Sequence, residues 1–276
     1  MQDRTHTPQS ETRRMRPIFV GVDVGATRTK VVILDSNKTL VGRAVMKSGT
    51  DFSASAENCL NVSLKMANAL ETDVVNAVST GYGRKNVSFA RESRTEIGCH
   101  ARGCYFYFPS AITIIDIGGQ DNKIIKLDRS GRRLSFKMNR KCAAGTGAFL
   151  EEMALRLDTP LEAMNDLAEQ SETMVELGSY CTVFTATEVL EKIRQGEKLP
   201  DIVKGLFFSV VKRVMEMHSL TENIVMTGGV VAYNPYLVKM VMENIGRDVL
   251  VPEYPQFTGA VGAALIAMEG GLEGGV

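Results

Sequence analysis

Two short acidic turns in this sequence have the residues to hold a phosphate group and a metal ion. The stretches "FVGVDVGATRTKVVILD" (19–35) and "TIIDIGGQDNKIIKLD" (113–128) share one plan at an offset of 93 residues. In each, an aspartate, Asp23 or Asp116, ends an apolar run and a glycine follows two residues later. Glycine lets backbone N–H groups approach a phosphate closely, and a carboxylate suits Mg²⁺, usually through water. Two such turns facing each other would hold a polyphosphate from both sides.

For either turn taken alone, an ordinary hairpin is the simpler interpretation, because short glycine motifs are weak evidence. The repetition favours phosphate binding. Lys30 matches Lys123, and the Leu-Asp pair at 34–35 matches the pair at 127–128. The offset exceeds the period of solenoid repeats, which is about 20 to 50 residues, so it indicates a domain duplication. Two interpretations of Lys30 stay open: a contact to phosphate, or a solvated lysine on a strand.

A third glycine motif follows an apolar run near the C-terminus. In "IVMTGGVV" (224–231) the run leads into Gly228 and Gly229. Glycines can pass beside a flat adenine ring without interference from a Cβ atom. The alternative is a plain turn from a strand into a helix.

Two cysteines precede helix-forming segments. Cys142 lies in "NRKCAAGTGAFLEEM" (139–153), and Cys181 lies in "SYCTVFTATEVLEKI" (179–193). A helix N-terminus and neighbouring cations favour a thiolate, so a metal-ligand role is reasonable. For Cys181 the alternative is a small buried hydrophobe in an apolar strand. Two thiolates cannot complete the four-thiolate shell of an iron–sulfur cluster, whereas two chains on a twofold axis could.

The elements that must position these residues indicate an α/β protein with mixed sheets. With 276 residues, of which 44% are hydrophobic, the chain is long enough for two domains. We predict a mobile tail over 1–16, a first domain over 17–110, and a second domain over 111–276 whose last helix can pack back on the first. Within the first domain, 86–108 is predicted to form one closing helix. Within the second, 146–170 is predicted to be helical.

Composition disfavours several classes of function. Lys plus Arg and Asp plus Glu both total 32, so no net charge favours nucleic acid or an anionic membrane. No run of eighteen apolar residues and no apolar signal core in residues 1–16 occur, and the five cysteines form no CxxC pair. We therefore expect a cytoplasmic protein. His100 and Cys104 have a spacing that metals use, but helix packing is favoured for them, as is a core position for Cys59 and Cys99.

The motifs "GVDVGATRTK", "DIGGQD" and "VMTGGV" resemble the phosphate-1, phosphate-2 and adenosine motifs of the acetate kinase, sugar kinase, Hsp70 and actin superfamily. The resemblance implies two tandem ribonuclease-H-like domains with ATP in the cleft between them. It also implies that Asp23 orients a hydrated Mg²⁺ and that Gln120 or Asp121 positions the attacking water. The implied ATP-binding residues are Gly25, Ala26, Thr27, Lys30, Gly118, Gly119, Gly145, Thr146, Gly228 and Gly229, with Gln120 also beside phosphate.

The cysteine segments "KCAAGTGAFLE" and "CTVFTATEV" resemble those of the activator ATPases of 2-hydroxyacyl-CoA dehydratases and the ATPase subunits of benzoyl-CoA reductases. "STGYGR", "CHARG" and "FTGAVGAALIA" extend the resemblance over residues 17–268. It implies an ATP-driven electron donor in which one 4Fe–4S cluster is shared by two protomers through Cys142 and Cys181 of each. The implied partners are a second ATPase protomer, a subunit that binds a CoA thioester, and a ferredoxin-like electron donor.

The choice between these two groups rests on the residues after Cys181. "TVFTATEV" departs from the "TVFAESEV" of dehydratase activators over residues 185–187, where Ala186 and Thr187 replace an acidic and a hydroxyl residue, which favours a benzoyl-CoA reductase subunit paired with a paralogous subunit. The alternative is a homodimeric dehydratase activator. Two other classes remain open: a small-molecule kinase of the same superfamily, and a nucleotide-dependent binding module without catalysis.

Overall fold

Two mixed sheets with the same strand plan form the framework. The structure is a computed structural model that describes residues 16–178 and 181–273. The mobile tail predicted for 1–16 falls almost entirely outside these residues and stays a prediction. The first sheet has the order β3-β2-β1-β4-β5 and the second has the order β10-β9-β6-β7-β8. The strands are β1 (Ile18–Val24), β2 (Arg28–Asp35), β3 (Leu40–Lys47), β4 (Val74–Thr80), β5 (Glu92–Ser93), β6 (Ile112–Ile117), β7 (Asn122–Leu127), β8 (Arg133–Asn139), β9 (Asn223–Thr227) and β10 (Val249–Leu250).

Helices cover and connect these sheets. None within the described residues is long and apolar enough to cross a membrane. The helices are α1 (Phe52–Ala67), α2 (Glu96–Tyr107), α3 (Gly147–Arg156), α4 (Met164–Glu169), α5 (Thr182–Arg194), α6 (Leu199–Met217), α7 (Gly229–Tyr233), α8 (Pro235–Ile245) and α9 (Thr258–Glu273).

The repeated turns join equivalent antiparallel strands. β1 pairs with β2 and β6 with β7, each antiparallel, while β4 and β9 add parallel to the other side of β1 and β6. All residues of β1 and β6 are buried, which is typical of central strands. The register sets Asp23 opposite Lys30 and Asp116 opposite Lys123. The duplication inferred from sequence is therefore present in the sheets.

Two helices each pack on the sheet of the other half of the chain, and we call them the exchanged helices. Although α2 follows the first sheet in the chain, its residues Ile97 and Ala101 share a core cluster with Ile112 of β6. In turn α9, at the end of the chain, packs on the first sheet, where Ala260 and Ala264 lie in a cluster with Val32 and Leu34 of β2.

The exchanged helices also pack against each other, at glycines. A Cβ atom on Gly262 of α9 would overlap the carbonyl oxygen of Cys99 in α2, and a Cβ atom on Gly103 would overlap that of Thr258. Only glycine permits this close backbone approach at the crossing.

Two predicted helices are shorter than expected. Residues 86–95 are not helical, because Arg91 and Arg94 donate their backbone N–H groups to Ala77 and Ser79 of β4, and the segment becomes an edge strand. The helix α2 begins only at Glu96, where Thr95 Oγ1 accepts the Gly98 N–H. The long helix predicted over 146–170 is interrupted around 158–160, since residue 158 has φ 49° and a proline follows at 160.

Candidate functional site

The two turns predicted to bind phosphate meet in one cleft of about 620 Å³, which residues of both sheets line. Gly119 of the second turn lies so close to Thr27 of the first that a Cβ atom on it would come within 2.8 Å of Thr27 Oγ1. The structure therefore brings both turns together, and the glycine pair after β9 with them. The predicted site residues that line the cleft are Asp23, Gly25, Ala26, Thr27, Lys30, Gly118, Gly119, Gln120, Asp121, Gly228 and Gly229.

Two residues predicted to bind ATP support the cleft from behind and do not line it. Gly145, with φ 78°, accepts a hydrogen bond of 2.7 Å from Asn122 Nδ2 through its carbonyl oxygen. Thr146 is buried and donates its hydroxyl to the Ala143 carbonyl at 2.6 Å. These bonds fix the turn that leads into α3, so both residues act on the shape of the loop.

Asp23 has one oxygen that the surrounding protein does not use. Lys30 Nζ lies 3.0 Å from Asp23 Oδ2, whereas Asp23 Oδ1 is buried without a hydrogen-bond partner among the described residues. A buried carboxylate oxygen without a donor is costly unless a cation or water satisfies it. Asp23 therefore fits a hydrated Mg²⁺ on the cleft side. Lys30 lines the cleft and forms an ion pair with Asp23, so its ammonium group does not extend into solvent.

The second turn carries a denser group of charges. Lys123 Nζ lies 2.9 Å from Asp116 Oδ2, 2.9 Å from Glu96 Oε1 and 2.7 Å from Asp121 Oδ1. Burial acts to lower the pKa of Lys123, but Asp116, Glu96 and Asp121 outweigh it and raise this pKa well above its usual value. Lys123 therefore stays charged although its side chain is only 2% exposed.

Asp116 stays charged for the complementary reason. Burial acts to raise its pKa, but His100 and Lys123 outweigh burial and hold the pKa of Asp116 well below its usual value. Thr227 Oγ1 also donates to Asp116 Oδ1 at 2.9 Å. The result is a charged carboxylate–ammonium pair at the floor of the cleft.

Sequence reasoning missed Glu96 and His100, which both come from α2 and line the cleft. His100 Nδ1 lies 3.6 Å from Asp116 Oδ1 and 3.3 Å from Thr258 Oγ1. His100 and Cys104 are buried, as helix packing predicted, although His100 also faces the charged group. The available signal was Thr95 followed by an acidic residue, which marks a helix N-terminus.

Cys142 and Cys181 are both exposed, unlike the other three cysteines. Cys181 occupies the N-cap position of α5, and Cys142 precedes α3 by five residues. Their neighbours Ala143 and Thr182 line the same shallow depression between α3 and α5. The interpretation of Cys181 as a buried hydrophobe is thus wrong, while Cys59 and Cys99 lie in the core as predicted.

The two exposed cysteines do not make a metal site by themselves. Among residues 16–178 and 181–273 there is no group of three or more His, Cys, Asp or Glu side chains placed to hold a metal ion. Two thiols are half of a four-thiolate shell, so Cys142 and Cys181 could hold a cluster only together with a second chain. Large apolar side chains are exposed on the same two helices, namely Leu155, Val183, Phe184, Leu190 and Ile193.

Comparison with known proteins gives relatives over nearly the whole chain. The activator of lactoyl-CoA dehydratase from Anaerotignum propionicum is 44% identical over 253 residues, covering 91% of this chain and 97% of that protein. The 2-hydroxyisocaproyl-CoA dehydratase activator from Clostridioides difficile is 41% identical, covering 91% and 94%. A solved structure of the activator of the 2-hydroxyisocaproyl-CoA dehydratase from Clostridium difficile with bound ADPNP matches with a TM-score of 0.88 at 40% identity, over 93% and 96% of the two chains.

More distant relatives separate the competing interpretations. A benzoyl-CoA reductase subunit from Thauera aromatica is 28% identical, covering 90% of this chain and 92% of that protein. A glucokinase of the ROK family from Streptomyces griseus matches with a TM-score of 0.56 at 12% identity, over 91% and 99% of the chains, and this likeness shows the fold alone. These structures confirm the predicted α/β fold of the actin, Hsp70 and sugar kinase type.

The predicted family is confirmed by a match to its sequence profile over residues 20–267. The motifs that carried the resemblance all lie within this range or directly beside it. This chain belongs to the BadF/BadG/BcrA/BcrD ATPase family.

Proposed function

We propose that this protein is the ATP-hydrolysing activator of a 2-hydroxyacyl-CoA dehydratase. The observation that carries the proposal is the identity of 41% and 44% to two such activators, against 28% to a benzoyl-CoA reductase subunit. It replaces the preference for the reductase that Ala186 and Thr187 suggested. Ala186 is buried and Thr187 is exposed, and both line the depression between α3 and α5, so these two residues of one segment weigh less than identity over nearly the whole chain.

The cleft supports binding of ATP with Mg²⁺. Gly118 and Gly119 leave room for backbone N–H groups to approach phosphate, and Asp23 offers its unused oxygen to the hydrated metal. The bound metal would neutralise charge on the phosphates during transfer. Asp121 already accepts from Lys123, so Gln120 is the better placed of the two to orient the attacking water.

The exposed cysteines support electron transfer. In this proposal Cys142 and Cys181 of two identical chains hold one 4Fe–4S cluster, which supplies one-electron transfer at low potential. The apolar side chains exposed on α3 and α5 suit burial against the second chain and the dehydratase. A ferredoxin-like protein would reload the cluster, and the CoA thioester would bind to the dehydratase.

The central test is the metal content of the anaerobically purified protein. We expect light scattering to give the mass of a dimer and chemical analysis to give about four irons and four sulfides per dimer. After reduction with dithionite, the protein should show an EPR signal that changes when MgATP is added. Cys142→Ala and Cys181→Ala should each lose the iron, whereas Cys59→Ala, a change in the core, should keep it. Full iron content in both variants at exposed positions would contradict the proposal.

A reconstitution assay separates the activator from its alternatives. The reduced protein with MgATP should switch on a purified 2-hydroxyacyl-CoA dehydratase in catalytic amounts. Activity that requires a paralogous ATPase subunit and a benzoyl-CoA reductase would favour the reductase assignment. Phosphoryl transfer to a sugar or acid without a cluster would favour a kinase, and tight ATP binding without turnover would favour a binding module.

A further inference from the structure

The carboxylate of Glu96 forms ion pairs with two cations, one through each oxygen, and these cations lie in different parts of the site. Its Oε1 lies 2.9 Å from Lys123 Nζ at the floor of the cleft. Its Oε2 lies 3.4 Å from Arg140 Nη2. Arg140 is two residues before Cys142 and lines the same cleft. Glu96 therefore joins the charged group beside the second turn to the segment that carries an exposed cysteine.

The segment that carries Cys142 is anchored at its other end to the second turn itself. The backbone N–H groups of Gly147 and Ala148 donate to the carbonyl oxygens of Gly118 and Gly119, at 2.9 and 2.7 Å. Cys142 thus sits between a backbone anchor on the downstream side and an ion pair on the upstream side. Asn139 Nδ2 also donates to the Cys142 carbonyl oxygen at 3.0 Å, so Arg140 lies between two residues that are bonded to each other and is the point at which a change in the ion pair would reach Cys142.

We propose that Glu96 is a positioning residue that couples occupancy of the cleft by MgATP to the position of Cys142. The inference rests on the nucleotide binding proposed above. A triphosphate adds negative charge beside Lys123 and Arg140, which both line the cleft, and Mg²⁺ adds positive charge beside the carboxylates. Either change alters the relative strength of the two ion pairs that Glu96 forms, with Lys123 and with Arg140. The contact of Glu96 with Lys123 is the stronger of the two, since these side chains are only 14% and 2% exposed. Arg140 is 60% exposed, so solvent screens its pair with Glu96 and makes that pair the easier one to shift.

The pair between Glu96 and Arg140 connects two separate elements, unlike the short-range ion pairs of this protein. Arg132–Asp128 and Arg156–Glu152 each join residues four apart in the sequence. Glu96–Arg140 instead joins α2 to the end of β8, across 44 residues of sequence. Arg140 is 60% exposed, so the pair adds little stability, but a contact between separate elements can transmit a shift.

The test measures how fast the Cys142 thiol is alkylated by iodoacetamide in the full-length chain freed of iron, with peptide mapping by mass spectrometry. Rates are compared with and without saturating MgATP, and nucleotide binding is measured on the same samples. In the wild-type chain we expect MgATP to change the rate by about 5-fold or more, a usual size for coupling between sites. In Glu96→Gln and in Arg140→Gln the change should fall below about 2-fold, and the double variant should resemble either single one.

Two variants and one internal reference site make the result specific. Glu96→Asp keeps the charge and should restore part of the MgATP effect, which a purely structural role would not require. Glu92→Gln removes an acidic residue from an exposed pair with Arg94 and should leave the effect unchanged. Cys181, mapped in the same digests, shows whether any change is confined to the segment of Cys142.

Each remaining outcome decides against the coupling role. If Glu96→Gln keeps the full effect while Arg140→Gln loses it, Arg140 reads the phosphate directly and the proposal is wrong. If both single variants keep the full MgATP effect, the backbone bonds to Gly118 and Gly119 transmit the effect, and the proposal is wrong. A wild-type chain that binds MgATP without any change at Cys142 refutes the coupling alone, whereas a chain that binds no nucleotide refutes the proposed function as well.

Discussion

Lys123 Nζ lies 2.9 Å from Asp116 Oδ2, and the two residues face each other in the register of β6 and β7. Lys30 and Asp23 have the same relationship in β1 and β2, at 3.0 Å. The two halves of the cleft thus share a lysine–aspartate pair. They differ in their surroundings, because Lys123 also contacts Glu96 and Asp121 whereas Asp23 keeps a carboxylate oxygen for a further ligand.

Removal of the Lys123 ammonium should strongly destabilise the protein. We expect Lys123→Met to lower the free energy of unfolding by about 3–5 kcal/mol, because the carboxylate of Asp116 is left buried without its cation. Urea denaturation followed by circular dichroism measures this difference. Lys137→Met, on the exposed edge strand β8, should change stability by no more than about 0.5 kcal/mol. Equal losses in both variants would refute the structural role assigned to Lys123.

The same pair predicts how stability depends on pH. Since the folded protein holds the pKa of Asp116 below the unfolded value of about 3.9, its contribution is present above that value and is lost as the pH falls toward the folded pKa. The pKa of Lys123 is raised, so its contribution is present below about pH 10.4 and is lost only at higher pH. The stability difference between the wild type and Asp116→Asn should therefore narrow below about pH 4. A difference that stays constant on acidification would contradict this assignment.

The crossing of α2 and α9 should not tolerate a side chain at Gly262. We expect Gly262→Ala to cost about 3 kcal/mol or more, because its Cβ atom would overlap the Cys99 carbonyl and both helix backbones would have to move. Gly270→Ala is a matched control in the same helix, since its Cβ atom would meet Asn76 Nδ2 only at 3.6 Å. That control should be neutral or stabilising by up to about 1 kcal/mol. Thermal unfolding of the two variants provides the comparison.

Alkylation should distinguish two classes of cysteine. Burial raises the pKa of Cys59 to about 12 and that of Cys99 to about 11, and it also raises that of Cys104, so these thiols are protonated as well as inaccessible near neutral pH. In the native chain freed of iron, we expect iodoacetamide to modify Cys142 and Cys181 within minutes and the other three only after denaturation in urea. Mass spectrometry of the digested protein reports each site. Rapid labelling of Cys104 in the native protein would contradict the buried position of this residue in α2.

The unused oxygen of Asp23 predicts a metal-dependent defect. Asp23→Asn should reduce ATP hydrolysis by about 100-fold or more, since the loss of a metal-orienting charge removes several kcal/mol of stabilisation in the transition state. A higher concentration of Mg²⁺ should recover part of the rate if binding of the metal is what fails. Asp35→Asn, at the far end of the same hairpin, should keep full activity. An active Asp23→Asn protein would remove Asp23 from the metal site.

The hairpins and their duplication could be predicted because the signals are local. An apolar strand, an acidic turn and a second strand lie within about twenty residues, and the antiparallel register then places Asp23 against Lys30. The sequence left the role of Lys30 open because two interpretations fit one isolated strand. Pairing with Asp23 of β1 argues against the solvated lysine, and a contact of Lys30 with phosphate stays a prediction.

Other parts of the site depend on contacts between distant segments. Glu96 lies at the first turn of α2, but only the packing of that helix against β6 and β7 brings its carboxylate to Lys123. The apolar residues in 86–95 favoured a helix in the sequence, but the backbone N–H groups of Arg91 and Arg94 in this segment bond to β4. The preference for a benzoyl-CoA reductase rested on two residues of one segment, Ala186 and Thr187, whereas identity over nearly the whole chain favours the dehydratase activators.

The exchange of α2 and α9 has a consequence for synthesis of the chain. β1 is made long before Ala260 of α9, whose backbone lies directly against Gly21. At ordinary rates of translation the nascent first sheet waits about 10 to 50 seconds for this cover. Its apolar face is exposed to chaperones and to neighbouring nascent chains throughout that time. The two halves should therefore mature together after release from the ribosome, and a stop codon shortly before residue 258 should leave both halves prone to aggregate.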